Sequence, residues 1–220
     1  MKHQISNQSK TLLTLTALSL ATVVARIIAT QEVLYLFLVW NLFLAGLPYM
    51  FAKISARQKN AAGFGVKTLF FMGLWLLFLP NSFYIVTDFI HIKRSQSHLI
   101  YLDLLTIASF AITGLMYGYY AIQTIRRIVA PHLTKGYLSL ATLTIYILCG
   151  FGIYLGRVLR WNSWDIITDP TRLLYDISAM LLSPSTHKLP WAMTLGFGFF
   201  LFTLDWVMQR YTVSTKQNDA

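Results

Sequence analysis

Between positions 79 and 91 the sequence reads Leu-Pro-Asn-Ser-Phe-Tyr-Ile-Val-Thr-Asp-Phe-Ile-His. Asn81, Tyr84, Asp88 and His91 recur at intervals of three, four and three. That spacing sets an amide, a phenol, a carboxylate and an imidazole on one face of an α-helix. Such a face can orient a polar ligand by hydrogen bonds, or pass a proton between Asp88 and His91 as general acid and base. With Asp103 as a third donor and His98 as a further one, it can hold a metal ion with open positions. Asp88, His91 and Asp103 are thus the candidates for catalysis and for metal ligation alike. An Asp-x-x-His spacing is common by chance and assigns no metal by itself.

A second group follows further along. Residues 152–165 read Gly-Ile-Tyr-Leu-Gly-Arg-Val-Leu-Arg-Trp-Asn-Ser-Trp-Asp. Gly152 and Gly156 form a small-xxx-small pair that lets another helix approach. Arg157 and Arg160 bring guanidinium groups suited to anions, and Arg26 is a third such group. Trp161, Asn162, Trp164 and Asp165 complete the candidate ligand contacts. Plainer readings stand beside these. Asp88 or Asp103 with Arg157 or Arg160 would make a structural ion pair, and Trp161 and Trp164 would anchor the chain at a membrane interface. Tyr84 and Tyr154 would pack as amphipathic side chains.

The elements that must position these residues are apolar. The chain has 220 residues, 56% of them hydrophobic and 12% charged, with a mean hydropathy of +0.56. A soluble domain carries about twice that charge fraction, so the bilayer is the natural solvent. A spanning helix needs about 20 mostly apolar residues. The pattern predicts an all-α, polytopic membrane helix bundle forming a single integral membrane domain over 1–220. Its spans fall at about 11–30, 33–52, 67–92, 101–123, 137–160 and 189–209, the third continuing past the kink expected at Pro80.

The net charge of +10 resides in short connectors, as membrane topology selection demands, and nucleic-acid binding is excluded on that ground. Lys53, Arg57, Lys59 and Lys67 crowd one connector, and Arg126, Arg127 and Lys135 another. These place both termini inside. Glu32, Asp88, Asp103, Asp165, Asp169 and Asp176 then gather at or beyond the outer interface. Together with the arginines they predict an outward-opening polar pocket.

Asp169-Pro170 reads as a helix cap followed by proline at the first helical position. The pattern predicts a short amphipathic interfacial helix at about 170–182, before the last span. It would serve as a lid or as a plain connector. Ala17, Ala21, Ala25 and Ala29 form a small-residue ridge on the first span, for packing within the bundle or against a membrane partner protein. Val23-Val24-Ala25 offers a cleavage site, but the apolar character resumes beyond Arg26, and an uncleaved anchor is expected. Cys149, the single cysteine, fits no metal spacing or internal disulfide. No Gly-x-Ser-x-Gly, phosphate loop or His-Glu-x-x-His occurs.

The stretches at 79–91 and 152–165 resemble the bacterial membrane-protein family catalogued as domain of unknown function 1361, over most of the chain. The resemblance implies a multi-pass protein of a bacterial cytoplasmic membrane. It carries no established activity, cofactor or catalytic residue. Three functions therefore stand open. One is a binding or transport protein for a small polar or anionic ligand, similar in size and first-span alanines to the capture subunits of energy-coupling-factor vitamin transporters. The second is a membrane enzyme, with or without a metal, acting on a lipid or envelope substrate. The third is a structural or assembly partner.

Overall fold

The computed structural model describes residues 2–58, 64–94, 99–183 and 188–218. His98 and Lys59, drawn into the metal and topology readings, lie outside the described residues. Among the described residues the chain is helical, without strands, and six helices are long and apolar enough to cross a membrane. In lipid a backbone must satisfy its own hydrogen bonds, and a helix does so within one segment.

The helices are α1 (Lys2–Thr30), α2 (Phe37–Gln58), α3 (Val66–Tyr84), α4 (Ile100–Val129), α5 (Lys135–Tyr154), α6 (Asp165–Thr168), α7 (Pro170–Leu182) and α8 (Lys188–Asn218). A 3-10 segment, Ile85–Arg94, continues α3, and a π-helical turn, Leu155–Leu159, continues α5.

Several boundaries differ from the sequence pattern. α2 begins at Phe37 rather than near position 33. Gln31 takes a left-handed backbone (φ 56°) that ends α1, and the reversal is completed by turns that include Leu36 N–H to the Val33 carbonyl at 3.0 Å. α3 does not stay α-helical to position 92; it tightens at Ile85, five residues past Pro80. α5 does not stay α-helical to position 160; it gives way to the π turn after Tyr154, and Arg160, with a left-handed φ of 63°, ends the helical run.

The chain divides into two compact units, Met1–Ile128 and Val129–Ala220. In the first unit α1 and α4 are joined by a polar ladder. Thr16 meets Tyr117 OH at 3.1 Å, Ser19 meets Thr113 at 2.9 Å, and Thr22 meets Ser109 at 3.0 Å. As numbers rise on α1 they fall on α4, so the two helices run antiparallel. The ridge of Ala17, Ala21, Ala25 and Ala29 lies on the other side of α1 and is exposed. Within the first unit α1 thus meets α4 through its hydroxyl residues. α3 approaches α4 at Gly114 and Gly118, where an added Cβ would sit 2.7 Å from the Ser82 carbonyl oxygen and 2.5 Å from the Phe83 ring. Val23, Tyr35, Leu42, Ile85, Ile107 and Phe110 form a core beside these contacts.

In the second unit α5 packs against α8. A Cβ on Gly150 would overlap the Thr194 carbonyl oxygen, and one on Gly198 would lie 2.9 Å from Ile147 Cα. Without a hydrophobic drive between helices in lipid, such close backbone approach is a main source of association. Helix α7 carries the expected proline start, with the Asp169 carboxylate accepting from Arg172 N–H at 3.3 Å.

Candidate functional site

The first unit buries its ionisable residues in two groups. Arg26 is 1% exposed and Asp103 0%, a burial that charged groups tolerate only when paired and hydrogen-bonded. Arg26 Nε donates to Asp103 Oδ1 at 3.1 Å. Its Nη1 donates to Thr30 Oγ1 at 3.0 Å and to the Glu32 carbonyl at 3.1 Å, and Nη2 reaches Glu32 Oε2 at 3.3 Å. Tyr35 OH donates to the other Asp103 oxygen at 3.2 Å, and the guanidinium lies 5.1 Å from the Tyr35 ring centre. Both oxygens of Asp103 and all three nitrogens of Arg26 are thus engaged within the unit. Within the first unit the ion-pair partner of Asp103 is Arg26.

The second group centres on Asp88, also 1% exposed. Asn41 Nδ2 donates to Asp88 Oδ2 at 2.9 Å. His91 Nε2 stands 3.8 Å from Asp88 Oδ1, its side chain 21% exposed. The imidazole meets the Phe37 ring edge-on at 5.0 Å, which fixes its tilt. A buried carboxylate oriented by an amide and leading to a part-exposed imidazole can accept, hold and release a proton. It can also position a hydrogen-bonding ligand.

The winding changes along this stretch, from α-helix to 3-10 at Ile85. With three residues per turn, Ile85, Asp88 and His91 eclipse one another. Ser82, Ile85 and Asp88 are buried, while Asn81 and Tyr84 are only half-buried. Asn81 Nδ2 turns back to the Phe78 carbonyl at 2.9 Å, and the Tyr84 carbonyl accepts from Thr87 Oγ1 at 2.6 Å. Asp88 and His91 remain neighbours, but Asp103 is committed to Arg26 and Tyr35. Among the described residues no three His, Cys, Asp or Glu side chains gather as a metal would require. The described residues thus bring Asp88 and His91 together and place Asp103 with Arg26 and Tyr35.

Arg157, Arg160, Trp161, Asn162, Trp164 and Asp165 belong to the second unit, where they shape the connector after α5. Trp161 Nε1 donates to Asp176 Oδ2 of α7 at 2.9 Å, and Arg172 lies 5.6 Å from the Trp161 ring centre. Asp165 accepts from the Asn162 backbone N–H at 2.7 Å, from Asn162 Nδ2 at 3.2 Å and from Thr168 Oγ1 at 3.0 Å. The backbone bond from Asn162 leads in holding its carboxyl below the usual range, partly opposed by desolvation and aided by the two side-chain donors. Trp161 and Asp165 are therefore engaged in pinning the connector. Arg157 is half-buried in the π turn, Arg160 is exposed, and Trp164 is 39% exposed.

Two residues of the first unit escaped the sequence pattern. Asn41 was legible as the one amide in an otherwise apolar span. Tyr35 was not, because a tyrosine at a span's edge reads as an interfacial anchor.

The profile of a family described as "Protein of unknown function (DUF1361)" matches residues 40–204. The match includes Asn41, Asp88, His91, Asp103 and the 152–165 stretch, and begins after Arg26, Glu32 and Tyr35. No curated protein and no solved structure matches.

Proposed function

This chain belongs to the DUF1361 family, and we propose that it is a multi-pass protein of a bacterial cytoplasmic membrane that binds or transports a small polar ligand, with Asp88 and His91 as the responsive contact. One observation carries the reading: a nearly inaccessible carboxylate linked to a part-exposed imidazole. Ionisable groups buried at membrane depth are costly and commonly serve substrate or proton paths. The His91 imidazole is charged only when protonated. Asp88 with His91 is therefore the pair whose charge can change with a ligand or proton. Arg26 is already engaged by Asp103 and Glu32.

Two other readings keep an observation each. The Asp88–His91 pair with Asn41 has the base-and-orienter logic of acid–base enzymes, which favours chemistry on a lipid or envelope substrate. The exposed alanines of α1 favour an assembly partner.

Native mass spectrometry of protein released from mild detergent tests the proposal. The wild type is expected to carry a small molecule of constant mass that Asp88→Asn and His91→Gln both lose while remaining folded. A wild type that emerges empty, with Asp88→Asn fully active in cells, moves the assignment to the assembly partner.

The orientation, N-in and C-in with Asp88 and His91 towards the outside, is part of the proposal. Buried Cys149 gives a low background for thiol labelling. A cysteine placed at exposed Lys93 is expected to react with an impermeant reagent on intact cells, and one at exposed Lys135 only after permeabilisation. The reverse pattern would invert the topology.

A further inference from the structure

A groove of about 350 Å³ runs along the first unit, lined chiefly by Thr16 of α1, Val39, Phe43, Gly46 and Met50 of α2, and Tyr117 of α4. Its walls are apolar apart from the Thr16 and Tyr117 hydroxyls, which bond each other at 3.1 Å. Val39, Phe43, Gly46 and Met50 follow one another at four, three and four residues, and the same stripe of α2 continues to Lys53 and Arg57. From Val39 to Met50 the helix rises about 16 Å. Gly46 gives the groove its depth: a Cβ there meets only the Tyr117 ring, at 3.7 Å, so a longer side chain would extend into the space.

The basic end carries uncompensated charge. Lys53 Nζ donates to Ser9 Oγ at 3.2 Å and lies 5.2 Å from the Tyr49 ring centre. Arg57 is exposed one turn further on. Among the described residues no carboxylate pairs with either cation. Like charges one helical turn apart repel, and an anion placed between them removes that cost.

We infer that this face of the first unit is a site for an anionic membrane lipid, with one acyl chain in the groove and the headgroup phosphate between Lys53 and Arg57. The occupant follows from the combination. An apolar channel within spanning helices takes a chain, and two cations in line with it take a phosphate. A zwitterionic lipid also presents an ammonium, which the same cations disfavour. A basic residue near a membrane surface attracts anionic lipid by about 1 kcal/mol.

The experiment exposes purified full-length protein in mild detergent to equal amounts of phosphatidylglycerol and phosphatidylcholine with matched chains, and reads retained lipid by native mass spectrometry. The wild type is expected to favour phosphatidylglycerol by about five-fold or more. The double variant Lys53→Gln/Arg57→Gln loses that preference, and Lys135→Gln, on another connector, keeps it. Gly46→Leu lowers retention of both lipids; Met50→Trp, at the groove's rim, does the same should Gly46→Leu not fold. Equal retention by the wild type, a preference that survives Lys53→Gln/Arg57→Gln, or unchanged retention in a folded groove variant would each overturn the site and leave only non-specific boundary lipid.

Discussion

Arg26→Ala and Asp103→Ala are each expected to destabilise the first unit by about 3 kcal/mol, because either leaves one buried charge without its counter-ion. The loss should exceed that of Tyr35→Phe, which removes one hydrogen bond to Asp103 and costs about 0.5–3 kcal/mol. The double replacement Arg26→Met/Asp103→Leu removes both charges and keeps apolar bulk. It should recover most of the loss, since buried pairs exchanged for well-packed apolar groups are often neutral or better. Thermal unfolding in detergent, with the singles Arg26→Met and Asp103→Leu completing a double-mutant cycle, measures the coupling. Single losses that simply add in the double variant would mean that Arg26 and Asp103 do not act as a pair. The cycle also bears on function. Should the double variant keep full cellular activity, the pair serves the fold, and the responsive chemistry rests with Asp88 and His91.

The second large effect lies in the other unit. Gly150→Ala is expected to cost about 1–3 kcal/mol, the usual range for overpacking, because the added methyl would overlap the backbone carbonyl of Thr194. A backbone atom cannot rotate away as a side chain can, so α5 and α8 must separate along their contact. Gly196→Ala supplies the contrast. A Cβ at Gly196 meets nothing within 4 Å, and replacing a helical glycine there should raise stability by about 0.5–1 kcal/mol. Fluorescence-detected size exclusion after heating would rank the variants. If Gly150→Ala and Gly196→Ala behaved alike, close α5–α8 packing would not govern the stability of this unit.

Particular residues show where the sequence pattern reached its limit. Asp88 and His91 were legible as neighbours because both α and 3-10 winding bring residues three apart together. Asn81 and Tyr84 are only half-buried, where Asp88 is buried, and the winding changes between them at Ile85, which a constant 3.6-residue period does not anticipate. The alanines of α1 suggested a packing face by size, whereas the face that meets α4 carries Thr16, Ser19, Thr22 and Arg26. In a bilayer a hydroxyl or a charge gains more by turning inward to a partner than a methyl does, since lipid already accommodates methyl groups.

The division between sequence and structure follows from what each kind of information encodes. The sequence by itself determined that the chain is helical, that six stretches can span a bilayer, and that it resembles one family, because hydrophobic length and local motif are properties of contiguous residues. Only the tertiary structure decided that Asp103 belongs to Arg26 and Tyr35, and Asp88 to Asn41. Those partners are 77, 68 and 47 residues apart. A buried charge takes whichever counter-ion or donor the packing of helices brings within about 3 Å, and no periodicity along a single span records that choice.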